Sequence, residues 1–190
     1  MQVLSTPSVS GSQYPQKFAE WMSFKTLGDA ELEKIAQACW DWTQAFKAKQ
    51  SPRWLSLLGT SGTGKTHCAT RLWNWASARA DFRNAQFIHV PVIWPRFVQR
   101  LRAGNGFKMR DDIANWPVLF VDDIGSERDT TGFATEELVA LLMSRMGKWT
   151  LITSNKTPEA LRALDERLYS RLIRDQNICA TVRTIDFSER

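Results

Sequence analysis

WLSLLGTSGTGKTHCATRLW, residues Trp54–Trp73, joins an apolar run to a helical pattern through a glycine-rich loop. Gly59, Gly64, Lys65 and Thr66 fill the pattern G-x-x-x-x-G-K-[ST], and the strand before it and helix after it are the setting in which that pattern signals a phosphate-binding loop. The loop must turn backbone N–H groups inward around phosphate oxygens, which calls for positive φ angles and backbone without Cβ atoms. Gly59, Thr60, Ser61, Gly62, Thr63, Gly64, Lys65, Thr66 and His67 are therefore the candidate nucleotide contacts. Lys65 offers a mobile cation to the outer phosphates and Thr66 a hydroxyl to Mg²⁺, while the helix that follows adds its positive dipole end. ATP and Mg²⁺ are the expected ligands. A chance glycine-rich turn is the competing reading, and the flanking strand and helix speak against it.

Working outward, strands and helices alternate along the whole chain. On the amino-terminal side, Asp29–Lys47 places Leu32, Ile35, Cys39, Trp42 and Phe46 three and four apart, as on a helix packed against a core. Met1–Pro15 is rich in Ser, Pro and Gly and reads as a flexible tail, leaving residues 16–190 as one domain. On the carboxyl side, the helix after the loop is expected to end near Asp81, and Ala85–Val90 reads as a short strand. Pro91–Arg102 looks helical from about Pro95, and Ala103–Trp116 reads as a connection. Pro117–Asp123 is a continuous apolar run, as expected of a parallel strand buried on both faces. A helix over Thr135–Met146, a strand over Trp149–Ser154, helices over Pro158–Leu164 and Asp165–Arg174, and a strand over Ile178–Ile185 complete the reading. The implied fold is α/β, a five-stranded parallel sheet sandwiched by helices.

Composition narrows the function classes. The chain has 190 residues, 43% of them hydrophobic, which suits a single core. Lys+Arg 25 against Asp+Glu 20 gives a net charge of +5, a mild bias toward a polyanionic partner. Cys39, Cys68 and Cys179 are widely spaced and form no ligand pattern with His67 and His89, so neither zinc nor a disulfide is expected. With no apolar run of membrane-spanning length and no leader-like start, the expectation is a cytoplasmic protein without a membrane partner. The nine tryptophans sit mostly within apolar patterns and read as core.

Three further features bear on chemistry. Asp122 and Asp123 end the apolar run of the third strand, at the ligand side of an open α/β sheet. The first carboxylate suits the water shell of Mg²⁺, and the second suits a water attacking the γ-phosphate. Asn155 ends the next strand, where its amide reaches that water or the γ-phosphate; by itself Ser-Asn after a strand is also an ordinary turn or cap. Arg167, Arg171 and Arg174 share one helical face, either a solvated basic surface or an arginine finger for a neighbouring subunit.

GTSGTGKTH (Gly59–His67), LFVDDIGSE (Leu119–Glu127), LITSN (Leu151–Asn155) and DERLYSRL (Asp165–Leu172) together resemble the DnaC/DnaI helicase loaders and the IstB transposition helpers, initiator-type AAA+ ATPases. The resemblance runs over roughly Phe24–Arg190. It implies Walker A at Gly59–Thr66, Walker B at Asp122 and Asp123, sensor 1 at Asn155, and Arg171 as the trans-acting finger with Arg167 in support. It also implies that Val92–Arg102 faces single-stranded DNA, with Trp94, Arg96, Phe97 and Arg100 pairing phosphates and stacking bases; an amphipathic helix closing its own core accounts for the same pattern. The implied partners are a replicative DNA helicase, single-stranded DNA and further copies of the chain, joined through ATP at subunit interfaces. Two departures from the family stand out: the segment ahead of the P-loop is short for a partner-docking domain, and the end, Phe187–Arg190, offers only Arg190 as a second sensor. An IstB-like helper on duplex DNA, a small P-loop kinase and a non-hydrolysing ATP-gated adaptor are the alternatives.

Overall fold

The computed structural model describes residues 30–79, 85–126, 131–173 and 177–182. The expected tail at Met1–Pro15 lies outside these residues, as do Glu127, Arg174 and Arg190. In chain order the elements are α1 (Ala30–Ala48), β1 (Trp54–Gly59), α2 (Lys65–Ser77), β2 (Gln86–His89), α3 (Val90–Arg102), α4 (Phe107–Asn115), β3 (Val118–Ile124), α5 (Phe133–Ser144), β4 (Trp149–Ser154), α6 (Pro158–Leu164), α7 (Glu166–Leu172) and β5 (Ile178–Val182).

All strand pairings are parallel and the order is β2-β3-β4-β1-β5, the expected five-stranded sheet. Parallel pairing fits the sequence because every residue of β1 and β4 is buried, so these apolar runs are covered on both faces. Period-two alternation still sorts each run between two cores. Leu55, Leu57, Val118, Phe120 and Leu151 pack with Ile35, Trp42 and Phe46 of α1 and Cys68, Ala69 and Leu72 of α2. Leu58, Leu119, Val121 and Ile152 point the other way, onto α3, α5, α6 and α7 through Phe97, Leu138, Leu161 and Leu168. Trp42, Trp54, Trp94 and Trp149 are all buried. Trp42 donates its indole N–H to the Arg53 carbonyl at 3.1 Å, so its polar atom is satisfied within an apolar setting.

Two elements depart from the sequence reading. Helix α3 starts at Val90 rather than near Pro95, because Pro91 falls in the first turn, where its missing N–H costs nothing and its fixed φ favours the helix. Pro95 lies inside that helix and forgoes one backbone bond. The expected connection after α3 contains α4, a helix with a single fully buried side chain, Ile113, which is why periodicity did not reveal it. Its last carbonyls are held from elsewhere: Arg145 donates to the oxygens of Ile113 and Ala114, and Lys148 Nζ to that of Ala114 at 2.7 Å.

Candidate functional site

The parallel sheet brings the ends of β1, β3 and β4 to one edge, with the P-loop following β1. Gly59 has φ +128°, and a Cβ there would lie 1.8 Å from the Val182 carbonyl oxygen, so only glycine fits where the loop leaves the sheet against β5. Gly62 and Gly64 also have positive φ, and Gly64 caps α2, leaving Lys65 as its first helical residue.

Lys65 is 4% exposed, and its ammonium donates to the Thr60 carbonyl and to Thr63 Oγ1, the latter at 3.0 Å. Both acceptors belong to the loop, so the cation sits folded into the cradle that its own backbone forms. Burial pushes its pKa down to about 8, and the nearby Asp123 and Asp122 carboxylates offset only part of that. Ser61 and His67 are exposed beside the loop.

Asp122 is 1% exposed and lies between hydroxyls from two other elements. Thr66 Oγ1 donates to its Oδ1 at 2.9 Å and Thr153 Oγ1 to the same oxygen at 2.7 Å. Thr66 and Asp122 thus present two hard oxygen donors side by side, a set that fits Mg²⁺, which takes few protein ligands and keeps several waters. Asp123 adopts φ +62°, unusual for a residue with a side chain, at the point where the β3–β4 register slips between Val121 and Ile124. Its backbone N–H donates to Thr153 Oγ1 at 2.9 Å, and its Oδ1 accepts from Asn155 Nδ2 at 2.6 Å. The structure therefore brings Asp122, Asp123 and Asn155 together. Neither Thr153, which bridges both acids, nor His89, whose Nδ1 lies 2.9 Å from Asp122 Oδ2, was assigned to the site from sequence.

The arginines differ in their contacts. Arg167 is tied within its own helix, its guanidinium donating to Asp165 at 2.8 Å, while Asp165 caps α7 by accepting from the Arg167 and Leu168 N–H groups. The Arg167 hydrogen bond is the main reason that the Asp165 carboxyl is held below its ordinary range. Arg171 instead has a buried Nε without a hydrogen-bond partner among the described residues, and lines a cavity of about 420 Å³ with Glu136, Val139, Ala140, Met143 and Arg167.

Residues 23–178 match the family of the bacterial DnaA ATPase domain. The chain belongs to this family. It is a AAA+ P-loop ATPase domain related to replication proteins. It is 28% identical over 120 residues to the chromosomal replication initiator protein DnaA of Streptococcus mutans, covering 62% of this chain and 26% of the relative. It is 24% identical over 163 residues to the replicative helicase loader DnaI of Bacillus subtilis, covering 82% of this chain and 50% of the relative. The chain therefore spans half or less of the length of these relatives. Among solved structures, the replication initiator DnaA bound to AMPPCP and single-stranded DNA superposes with a TM-score of 0.69 at 18% identity, covering 90% of this chain and 51% of that one. This DnaA-family AAA+ domain differs from the sequence reading on α3. Trp94 and Phe97 are each 1% exposed, their rings 4.8 Å apart, and the Trp94 indole donates to the Ala134 carbonyl at 3.1 Å. They are core residues, so the expectation that they stack bases is corrected; Arg96 and Arg100 are exposed. No described helix is long and apolar enough to cross a membrane.

Proposed function

We propose that this chain is a helicase loader that hydrolyses ATP with Mg²⁺, assembles with copies of itself through Arg171, binds single-stranded DNA and acts on a replicative DNA helicase. The observation that carries the reading is the continuous hydrogen-bonded run from Thr66 through Asp122 and Thr153 to Asp123 and Asn155, which joins three sequence motifs at one sheet edge. Its similarity to a loader over 82% of the chain, and to an initiator fold bound to AMPPCP and single-stranded DNA, supports the choice over a metabolite kinase.

In this mechanism the Lys65 ammonium leaves Thr60 and Thr63 for the terminal phosphates, exchanging two neutral acceptors for an anion. Thr66 and Asp122 would hold Mg²⁺, which when bound supplies positive charge to the developing phosphoryl oxygens. Asp123, held by Asn155, accepts a hydrogen bond from the attacking water and orients it toward the γ-phosphate. Arg171, half-buried at the end of α7 and lining the cavity with Glu136 and Met143, is the guanidinium that would reach a neighbouring copy, with Arg167 alongside. Arg96 and Arg100 on α3 supply phosphate pairing to single-stranded DNA.

Phosphate release from ATP and Mg²⁺ tests the chemistry. Asp123→Ala is expected to lower the rate by about 100-fold or more while nucleotide binding persists; an unchanged rate, or a phosphorylated acceptor as product, refutes it. Solution mass with ATP and a single-stranded oligonucleotide tests assembly, which Arg171→Ala is expected to prevent. Monomers under every condition refute that part.

A further inference from the structure

Asp122 has two carboxylate oxygens, and the threonine hydroxyls reach only one of them. Oδ1 accepts from Thr66 and Thr153, whereas Oδ2 lies 2.9 Å from His89 Nδ1. An ionised carboxylate only accepts, so a hydrogen bond between the two requires the proton on Nδ1. His89 comes from a different strand: it is the last residue of β2, directly opposite Asp122 in the β2–β3 register, and the residue from which α3 departs. Its side chain is 42% exposed while that of Asp122 is 1% exposed, so the imidazole forms the outer wall of an otherwise enclosed carboxylate.

A carboxylate held on one oxygen alone can still swing about its side-chain torsions. With both oxygens held, from β2 on one side and from α2 and β4 on the other, its plane is fixed and Oδ1 stays against the Thr66 hydroxyl. Groups that orient a metal ligand in this way commonly contribute about tenfold or more to metal affinity.

We propose that His89 is a positioning residue, donating from Nδ1 to Asp122 Oδ2 and thereby orienting the carboxylate for Mg²⁺ in the nucleotide complex. This rests on the reading of the site as an ATP and Mg²⁺ site. The test is the affinity of a fluorescent ATP analogue, measured in excess EDTA and across a Mg²⁺ titration, for wild type, His89→Ala and His89→Asn, with a thermal melt of each. His89→Ala is expected to need about tenfold more Mg²⁺ for its half-maximal effect while its affinity in EDTA stays at the wild-type level. His89→Asn, which restores a donor close to the Nδ1 position, is expected to recover most of the loss. Unchanged Mg²⁺ dependence in His89→Ala, an equal loss in EDTA and in Mg²⁺, or an asparagine variant no better than alanine overturns the proposal. A wild type that binds no analogue, or binds it without regard to Mg²⁺, instead overturns the nucleotide-site reading, and the proposal with it.

Discussion

Lys65 and Arg145 are both buried cations with depressed pKa values, and they are held in different ways. Burial lowers Lys65 to about 8 and Arg145 to about 10. Among the described residues both donate to backbone carbonyl and hydroxyl oxygens rather than to a carboxylate. The difference lies in how firmly they are held. Lys65 has two acceptors, both in the same short loop, so a phosphate can replace them without disturbing the sheet. Arg145 is fully buried and donates to the Ile113, Ala114, Trp116 and Trp149 carbonyls and to Thr150 Oγ1, tying the end of α4 to the start of β4. A planar guanidinium with five donors suits a fixed joint, whereas a mobile ammonium suits a ligand exchange. Burial of a cation therefore does not by itself mark a functional site.

The largest test of this contrast is Arg145→Ala. It strands several buried carbonyls and removes a large buried side chain, and is expected to cost about 3 kcal/mol or more, read as a lower denaturant midpoint in chemical unfolding. An Arg145→Ala protein of wild-type stability breaks the comparison. Lys65→Ala is expected to do the reverse, weakening ATP binding about 10- to 100-fold, the worth of a hydrogen bond to a charged group, with little loss of stability because an unfavourably buried charge goes with it. Nucleotide titration and a thermal melt on the same variant check both halves.

A smaller effect follows from pH. Lys65 is protonated below its folded pKa of about 8 and loses its charge as pH rises through that value, so the free protein offers less cation to phosphate in alkaline solution. Affinity for ATP is expected to fall by about tenfold between pH 7 and pH 9, one pKa unit being worth about 1.4 kcal/mol. Lys65→Arg, charged throughout, should flatten that dependence, which binding isotherms at the two pH values would show. Smallest is Asp165→Ala, expected to cost about 1 kcal/mol in a thermal melt through loss of the α7 cap. Arg167→Ala in the solution-mass assay shows whether that arginine joins Arg171 in assembly; an unchanged mass in ATP would confine the finger role to Arg171.

The nucleotide edge was largely legible in the sequence, because its demands are local. Glycines at Gly59, Gly62 and Gly64 answer a backbone requirement within one loop, and an apolar run ending in Asp122 and Asp123 states both the strand and the end of the sheet that it reaches. On α3 the same reasoning stopped short. Trp94 and Phe97 sit three apart, and aromatic residues at that spacing look alike whether they face a core or a ligand; packing beneath α5 turned them inward. Helix α4 was hidden for the converse reason, having little apolar periodicity of its own and drawing its closure from Arg145 and Lys148.

What the sequence determined by itself was the alternation of strands and helices, the P-loop, and the identity of the two acids and the amide that follow it in order. Tertiary structure alone decided what surrounds them. In the order β2-β3-β4-β1-β5, β3 lies between β2 and β4, so Asp122 meets His89 from 33 residues before it and Thr153 from 31 residues after it. Contacts of that separation arise from strand order and register rather than from spacing along the chain, and they fix the direction in which a buried carboxylate points.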